Sequence, residues 1–91
     1  MHFVTTYTFK PFLTREETKE LMDMFATAGE APGTTAHYVF ADGGGGILVG
    51  ESDDLTASYR NILNYNNWME FSTQVVLPVD EAVGQVLDYL S

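Results

Sequence analysis

The order in which two kinds of hydrophobic pattern follow one another limits the fold of this chain most strongly. Segments that alternate with period two and are rich in β-branched and aromatic residues predict strands. Segments whose apolar residues recur every three or four positions predict helices. Along the 91 residues these patterns give the order β-α-β-β-α-β-α. We therefore expect one α+β domain, residues 1–91, with a four-stranded antiparallel sheet.

The strands are expected at residues 2–9, 34–41, 47–50 and 68–77. Lys10-Pro11 and Pro78 end the first and last of these strands, because proline cannot donate a hydrogen bond to a sheet. The glycine-rich run from Asp42 to Gly46 predicts a hairpin turn, since glycine accepts positive φ angles. The first six elements then match the split β-α-β arrangement called ferredoxin-like, which carries two helices on one sheet face.

Each helix is expected to begin at a polar capping residue. Thr14-Arg15-Glu16-Glu17 matches a capping box, and Gly29 suits a left-handed position after the last turn. Ser52 or Asp53 is expected to cap the second helix and Asp80 the third. The apolar stripes predicted on the three helices are Thr18, Leu21, Met22, Phe25 and Ala28; Leu55, Tyr59, Ile62 and Leu63; and Ala82, Val83, Val86, Leu87 and Leu90.

The strands carry few charges on either face. No charged residue lies between His2 and Phe9, or from Thr34 to Ala41. A sheet face that meets water normally alternates to charged or strongly polar residues, and a large uncharged patch usually marks an interface. We therefore expect the open sheet face to be covered by the same face of a second copy, giving a homodimer whose two packed sheets form a closed or nearly closed barrel. The alternative is a monomer whose threonine-rich face tolerates water.

Composition excludes several classes of function. Thirteen acidic against four basic residues give a formal charge of −9, which argues against nucleic acid and anionic membranes as partners. The absence of cysteine excludes disulfides, thiolate metal sites and a cysteine nucleophile. The two histidines lie at no metal-ligand spacing, so we expect no metal site and no cofactor. With no apolar run of membrane length and no signal-peptide pattern, a cytoplasmic protein is expected.

Several segments together resemble the bacterial domain-of-unknown-function family DUF3303. They are the opening segment Phe3–Pro11, the Asp42-Gly43 turn with the glycines and Glu51–Asp54 that follow, Tyr59-Arg60 with aromatic residues at Tyr65 and Phe71 beyond, and Pro78–Ala82. The resemblance covers nearly the whole chain and implies the dimeric α+β barrel assembly. That superfamily includes cofactor-independent monooxygenases, haem-degrading enzymes, dehydratases and stress-responsive proteins. The resemblance carries over no activity, because the family has no established one and a fold does not fix a function.

Aromatic and histidine side chains are the main candidates for binding a ligand. His37, in the middle of the second strand, could act as a general base or hold a ligand near neutral pH. The alternative is a partly exposed strand histidine with satisfied hydrogen bonds. Tyr7, Tyr38, Tyr65 and Trp68 could line an aromatic pocket for a flat organic ligand, or serve only core and dimer packing.

Arg60 is one of only four basic residues in an acidic chain. It is expected either to bind a ligand carboxylate or to form a surface ion pair with Glu51, Asp53 or Asp54. The glycines at 43–46 lack the Gly-Lys-Ser/Thr ending of a phosphate-binding loop, and no serine lies in a nucleophile-elbow pattern.

Three functions remain open from the sequence. The first is a dimer that binds a small apolar or aromatic ligand, or a partner, in the cleft between sheet and helices. The second is a cofactor-independent enzyme, monooxygenase- or isomerase-like, in which His37 acts with Tyr7 or Arg60. The third is a non-catalytic regulatory protein whose acidic surface recruits a basic partner. The sequence contains no catalytic constellation that would decide between an enzyme and a binding protein.

Overall fold

The computed structural model describes residues 1–91 and has the predicted order of elements. The strands are β1 (His2–Phe9), β2 (Thr34–Val39), β3 (Gly45–Glu51) and β4 (Met69–Val76), and the helices are α1 (Arg15–Ala28), α2 (Leu55–Leu63) and α3 (Val79–Leu90). The strands lie in the order β2-β3-β1-β4, and every neighbouring pair is antiparallel. This arrangement confirms the expected ferredoxin-like α+β fold.

The capping box before α1 is present in full. Thr14 Oγ1 accepts a hydrogen bond from the Glu17 N–H at 3.0 Å, and Glu17 Oε1 accepts one from the Thr14 N–H at 3.2 Å. At the other end Gly29 has a φ of 64°, and its N–H donates to the Phe25 carbonyl. The first helix therefore begins and ends where its sequence signals predict.

The predicted caps of α2 and α3 are wrong. Asp54 caps α2 by accepting a hydrogen bond from a backbone N–H of the first turn, in place of Ser52 or Asp53. Ser52 instead holds the preceding turn, because its hydroxyl accepts from the Asp54 N–H. Asp80 lies inside the first turn of α3, which begins after Pro78 without a side-chain cap.

The core lies between α1, α2 and one face of the sheet. The odd-numbered positions of β1 face the helices, and Phe3, Thr5 and Tyr7 are buried there. The core cluster consists of Tyr7, Leu21, Leu48, Tyr65, Trp68 and Met69. No large side chain of the protein is completely buried. The cavity described below adjoins most of these core side chains.

The apolar stripes of the helices are only partly as predicted. On α1, Leu21 is buried and Met24, outside the predicted stripe, packs against the core, whereas Met22 stays exposed. On α2, Ser58 is buried while Tyr59, a member of the predicted stripe, is exposed. The inner side of α2 therefore contains a polar residue that a count of apolar residues does not reveal.

A β-bulge in β2 decides on which side of the sheet its residues lie. The residues on either side of Thr35 pair with consecutive residues of β3, Val49 and Gly50, so Thr35 has no partner of its own. An extra residue of this kind reverses the alternation of side chains beyond it. The bulge thereby places His37 on the helix side, opposite Leu48. The Thr35 hydroxyl stabilises the bulge by donating to the Val49 carbonyl at 3.1 Å.

α3 leaves its apolar side exposed to solvent. No residue of α3 is buried, and four members of its predicted stripe, Val83, Val86, Leu87 and Leu90, are 49–71% exposed. The chain is elongated, with a longest dimension of 58 Å and a radius of gyration of 16.0 Å, where a compact chain of this length has about 12 Å. None of the three helices is long and apolar enough to cross a bilayer.

Candidate functional site

A mainly apolar cavity lies between the sheet and the helices α1 and α2. Its volume is about 230 Å³, and most of the residues that line it are hydrophobic. An engineered apolar cavity of about 150 Å³ holds benzene. The cavity in this chain is therefore large enough for a molecule of one or two fused rings.

Three side chains from different parts of the fold form a hydrogen-bonded chain at the wall of the cavity. Tyr7 Oη lies 2.7 Å from His37 Nε2, and His37 Nδ1 lies 2.6 Å from Glu30 Oε2. Tyr7 comes from β1, His37 from β2, and Glu30 from the loop that follows α1. All three residues line the cavity.

Burial and charge decide which atoms of this chain carry the protons. Burial raises the pKa of Tyr7, and the negative charge of Glu30 raises it further, so Tyr7 is a neutral phenol at neutral pH. A carboxylate only accepts hydrogen bonds, so His37 Nδ1–H donates to Glu30. When the imidazole is neutral, its Nε2 therefore accepts a hydrogen bond from the Tyr7 hydroxyl. A lone pair of Tyr7 Oη remains available to a ligand.

The backbone of β3 gives Tyr7 its position. Tyr7 pairs with Gly46 across the sheet, and a Cβ atom at Gly46 would overlap the Tyr7 phenol. The missing side chain lets the tyrosine ring lie over β3 and reach His37 on the next strand. Phe25 of α1 also packs against His37, with 6.2 Å between the ring centroids. The hydrogen-bonded chain thus depends on a glycine in β3 and a bulge in β2.

Tyr65 and Asn61 connect the end of α1 to α2 and the turn that follows it. Tyr65 Oη donates to the Gly29 carbonyl at 2.6 Å, and Asn61 Nδ2 donates to the same oxygen at 3.2 Å. Carbonyls at the end of a helix lack partners within the helix, so these bonds satisfy groups that need them. Burial raises the pKa of Tyr65, and the charge of Glu30 adds to the effect. Since its hydroxyl is already used, Tyr65 offers the cavity its ring.

Ser58 supplies a hydroxyl that no other group of the chain uses. The residue is only 8% exposed, lines the cavity, and has an Oγ atom that is buried without a hydrogen-bond partner. A buried hydroxyl left unpaired costs about 1–3 kcal/mol. A ligand that hydrogen-bonds to this hydroxyl would remove that cost.

The structure brings three of the predicted ligand residues together. Tyr7, His37 and Tyr65 all line the cavity. Sequence reasoning missed Glu30, for which no local pattern indicated contact with a strand residue seven positions later. It also missed Ser58, although a signal was present: Ser58 lies three residues after one apolar stripe residue and four before another, on the inner side of α2.

The other predicted candidates lie outside the cavity lining. Trp68 is buried in the core cluster beside it. Tyr38 is exposed on the open face of the sheet. Arg60 is exposed in the last turn of α2. The ion pairs of the chain are Met1–Asp53, His2–Glu51 and His37–Glu30, so Arg60 does not form the expected surface pair.

Comparisons with known proteins identify a family but no activity. The family model described as "Domain of unknown function (DUF3303)" matches residues 1–89. No curated protein matches the chain significantly. Among solved structures, "Structure of Rv0793 from Mycobacterium tuberculosis" is similar to this chain, with a TM-score of 0.43, 15% sequence identity, and coverage of 85% of this chain and 94% of that one. A structural similarity this weak does not indicate a function.

Proposed function

The chain belongs to the DUF3303 family, whose description names no activity, and we propose that it binds a small planar apolar molecule carrying a polar group. The observation that supports this function is an apolar cavity whose wall holds a connected set of polar side chains, Tyr7, His37 and Glu30. Binding sites for small molecules are mostly apolar, and a few placed polar groups fix the orientation of the ligand. The cavity volume of about 230 Å³ favours one or two fused rings.

The polar groups of the cavity favour a hydroxyl-bearing ligand. When the His37 imidazole is neutral, the Tyr7 hydroxyl donates to its Nε2, and the Tyr7 oxygen is then placed to accept a hydrogen bond from the ligand. Ser58, on the helix wall, offers a second hydroxyl that can donate or accept. A ligand without any polar group would leave Ser58 unpaired, and its binding would be weaker for that reason.

Charge favours a neutral ligand over an acid. Glu30 lines the cavity, and the whole chain carries a formal charge of −9. A ligand carboxylate in the cavity would lie near this negative charge in an environment of low dielectric constant. Arg60 lies outside the cavity lining and is not in a position to neutralise such a group.

The test compares two probes that differ by one hydroxyl, 2-naphthol and naphthalene. Isothermal titration calorimetry should give tighter binding of 2-naphthol by about fivefold, because a net hydrogen bond contributes about 1 kcal/mol. Tyr7→Phe should remove most of this preference without abolishing naphthalene binding.

A variant that fills the cavity tests the location of binding. Ser58→Leu should weaken binding of both probes, whereas Tyr59→Leu, a matched change at the exposed neighbouring position, should leave both unchanged. Equal affinities for the two probes, or full binding by Ser58→Leu, would contradict the proposal.

We also infer that two copies of the chain pair through the open face of the sheet. Register places Val4, Ile47 and Val49 near the centre of that face, while Glu51 and Glu70 lie towards its ends. An uncharged centre with a charged rim is typical of protein interfaces. The accessible surface of 6675 Å² is also about a quarter larger than the roughly 5,300 Å² expected for a compact monomer of this mass. The excess is of the size that a stable dimer buries on each copy.

A further inference from the structure

We propose that the hydrogen-bonded chain Tyr7–His37–Glu30 transfers protons to and from the bound molecule, so that the protein catalyses keto–enol interconversion of small planar ketones without a cofactor. This inference rests on the proposed ligand site. It goes beyond binding because the same three side chains that orient a hydroxyl also form a path along which a proton can move.

The proton transfer needs no group that the chain lacks. A C–H bond next to the ketone carbonyl breaks, and its proton moves to Tyr7 Oη while the proton of Tyr7 moves to His37 Nε2. The electron pair of the C–H bond forms the carbon–carbon double bond, and the π pair of the carbonyl becomes a lone pair on oxygen. Return of the proton to that oxygen gives the enol, and its return to carbon regenerates the ketone. The reaction consumes no oxidant or reductant.

The surroundings of His37 favour the intermediate of this transfer. When Nε2 takes the proton, the imidazole becomes a cation. Its Nδ1 atom already lies 2.6 Å from Oε2 of Glu30. Attraction between the two charges is stronger at the wall of an apolar cavity than in water. Tyr7 is the catalytic residue because it contacts the reacting atom, and His37 and Glu30 are positioning residues that act through it.

Ser58 provides a hydrogen-bond donor for the negative charge that develops on the carbonyl oxygen of the ketone. Its hydroxyl lines the same cavity and has no partner in the chain. Stabilisation of a developing oxyanion by a fixed donor is one of the largest contributions to catalysis. The cavity therefore contains both a path for the proton and a free hydroxyl that can stabilise the enolate oxygen.

The probe for this activity is 2-tetralone, a two-ring ketone with an acidic C–H between ring and carbonyl. Exchange of that hydrogen for deuterium in D₂O, followed by NMR, reports enolisation directly. The wild-type protein should accelerate exchange above the buffer rate, and Tyr7→Phe should lose at least about 100-fold of that acceleration while still binding the ketone. Tyr38→Phe, a matched change on the exposed sheet face, should exchange like the wild type.

Two further variants distinguish proton transfer from a purely structural role. His37→Ala should lose the acceleration and regain part of it when imidazole is added to the buffer, which no structural role would produce. Glu30→Gln lies in a loop, keeps the size of the side chain, and should slow exchange at least about tenfold. It therefore keeps the proposal testable if Tyr7→Phe does not fold.

The outcomes separate this inference from the ligand site on which it rests. If calorimetry shows that 2-tetralone binds but exchange stays at the buffer rate, proton transfer is wrong and the binding function stands. If Tyr7→Phe and Glu30→Gln bind the ketone and exchange it like the wild type, the proton path is also wrong. If neither 2-tetralone nor 2-naphthol binds, both proposals fail together.

Discussion

Ser58 illustrates how a single residue of this chain lowers stability at the cavity. Its buried hydroxyl has no partner, whereas the buried hydroxyl of Tyr7 is paired with His37. An apolar side chain at position 58 would leave no hydroxyl unpaired and would stabilise the isolated chain better. Such costs commonly persist at sites where function depends on them.

Ser58→Ala should therefore stabilise the protein. Removing the unpaired hydroxyl should raise the free energy of unfolding by about 1 kcal/mol, measured by urea denaturation. Part of any gain comes from the higher helix propensity of alanine, so Thr56→Ala, an exposed change in the same helix, is the matched control. We expect a larger gain at Ser58 than at Thr56, and an equal or smaller gain would show that the unpaired hydroxyl does not destabilise the protein.

The raised pKa values of Tyr7 and Tyr65 predict how stability depends on alkaline pH. The folded chain holds both phenolic protons more tightly than the unfolded chain, whose tyrosines have a pKa near 10.0. This contribution to stability is fully present below pH 10.0 and is lost as the pH rises through the raised values. Urea denaturation between pH 8 and about 11.5 should show a decline that is shallower in a Tyr7→Phe, Tyr65→Phe double variant. An unchanged decline in the double variant, or a shallower one in the exposed-site control Tyr89→Phe, would contradict this assignment.

The strands β2 and β3 determine the geometry of the site more than the helices do. A bulge at Thr35 brings His37 to the helix side, and Gly46 makes room for the ring of Tyr7. Without both features the two side chains would not meet. Their contact therefore depends on how the neighbouring strands pair and is not determined by the sequence of either strand alone.

This dependence explains how much of the molecule could be predicted from sequence. The order of elements, the cap of α1 and the turn at Gly29 follow from local patterns, and the structure has all of them. The bulge could not be predicted, because a strand with threonine and alanine at its start shows no clear alternation. The contact between His37 and Glu30 could not be predicted either, since it depends on the path of the loop after α1.

Gly46→Ala and Gly84→Ala should change stability in opposite directions. At Gly46 the added methyl group meets the Tyr7 phenol and neighbouring backbone, so we expect a loss of about 1–3 kcal/mol in urea denaturation. At Gly84 in α3 nothing lies close to the added methyl group, and the change should gain about 0.5–1 kcal/mol from helix propensity. A Gly46 variant as stable as the wild type would show that Tyr7 does not lie where the structure has it.

The whole chain leaves two apolar regions uncovered. One sheet face and one side of α3 carry exposed apolar residues, and the accessible surface exceeds that of a compact monomer. Association through the open sheet face would bury one of these regions and leave the cavity on the helix side free for its ligand.

Val49→Glu should separate the two copies. A carboxylate at this central position of the open face would be buried without a partner in the dimer, which costs several kcal/mol per ion. Sedimentation equilibrium should give twice the chain mass of 10.1 kDa for the wild type and a single chain for the variant. Thr56→Glu, an acidic change at an exposed position of α2, should remain dimeric. A wild-type protein that sediments as a monomer at micromolar concentration would show that the open face is free.

Isotope-filtered NOE spectroscopy of the protein with 2-naphthol locates the bound molecule most directly. We expect NOEs from the naphthol ring to the methyl groups of Leu48 and Met69, which line the cavity, and none to those of Val4 and Val49 on the opposite face. NOEs to Val4 and Val49 in place of Leu48 and Met69 would show that the ligand lies between sheets of two copies, and would contradict a site between sheet and helices.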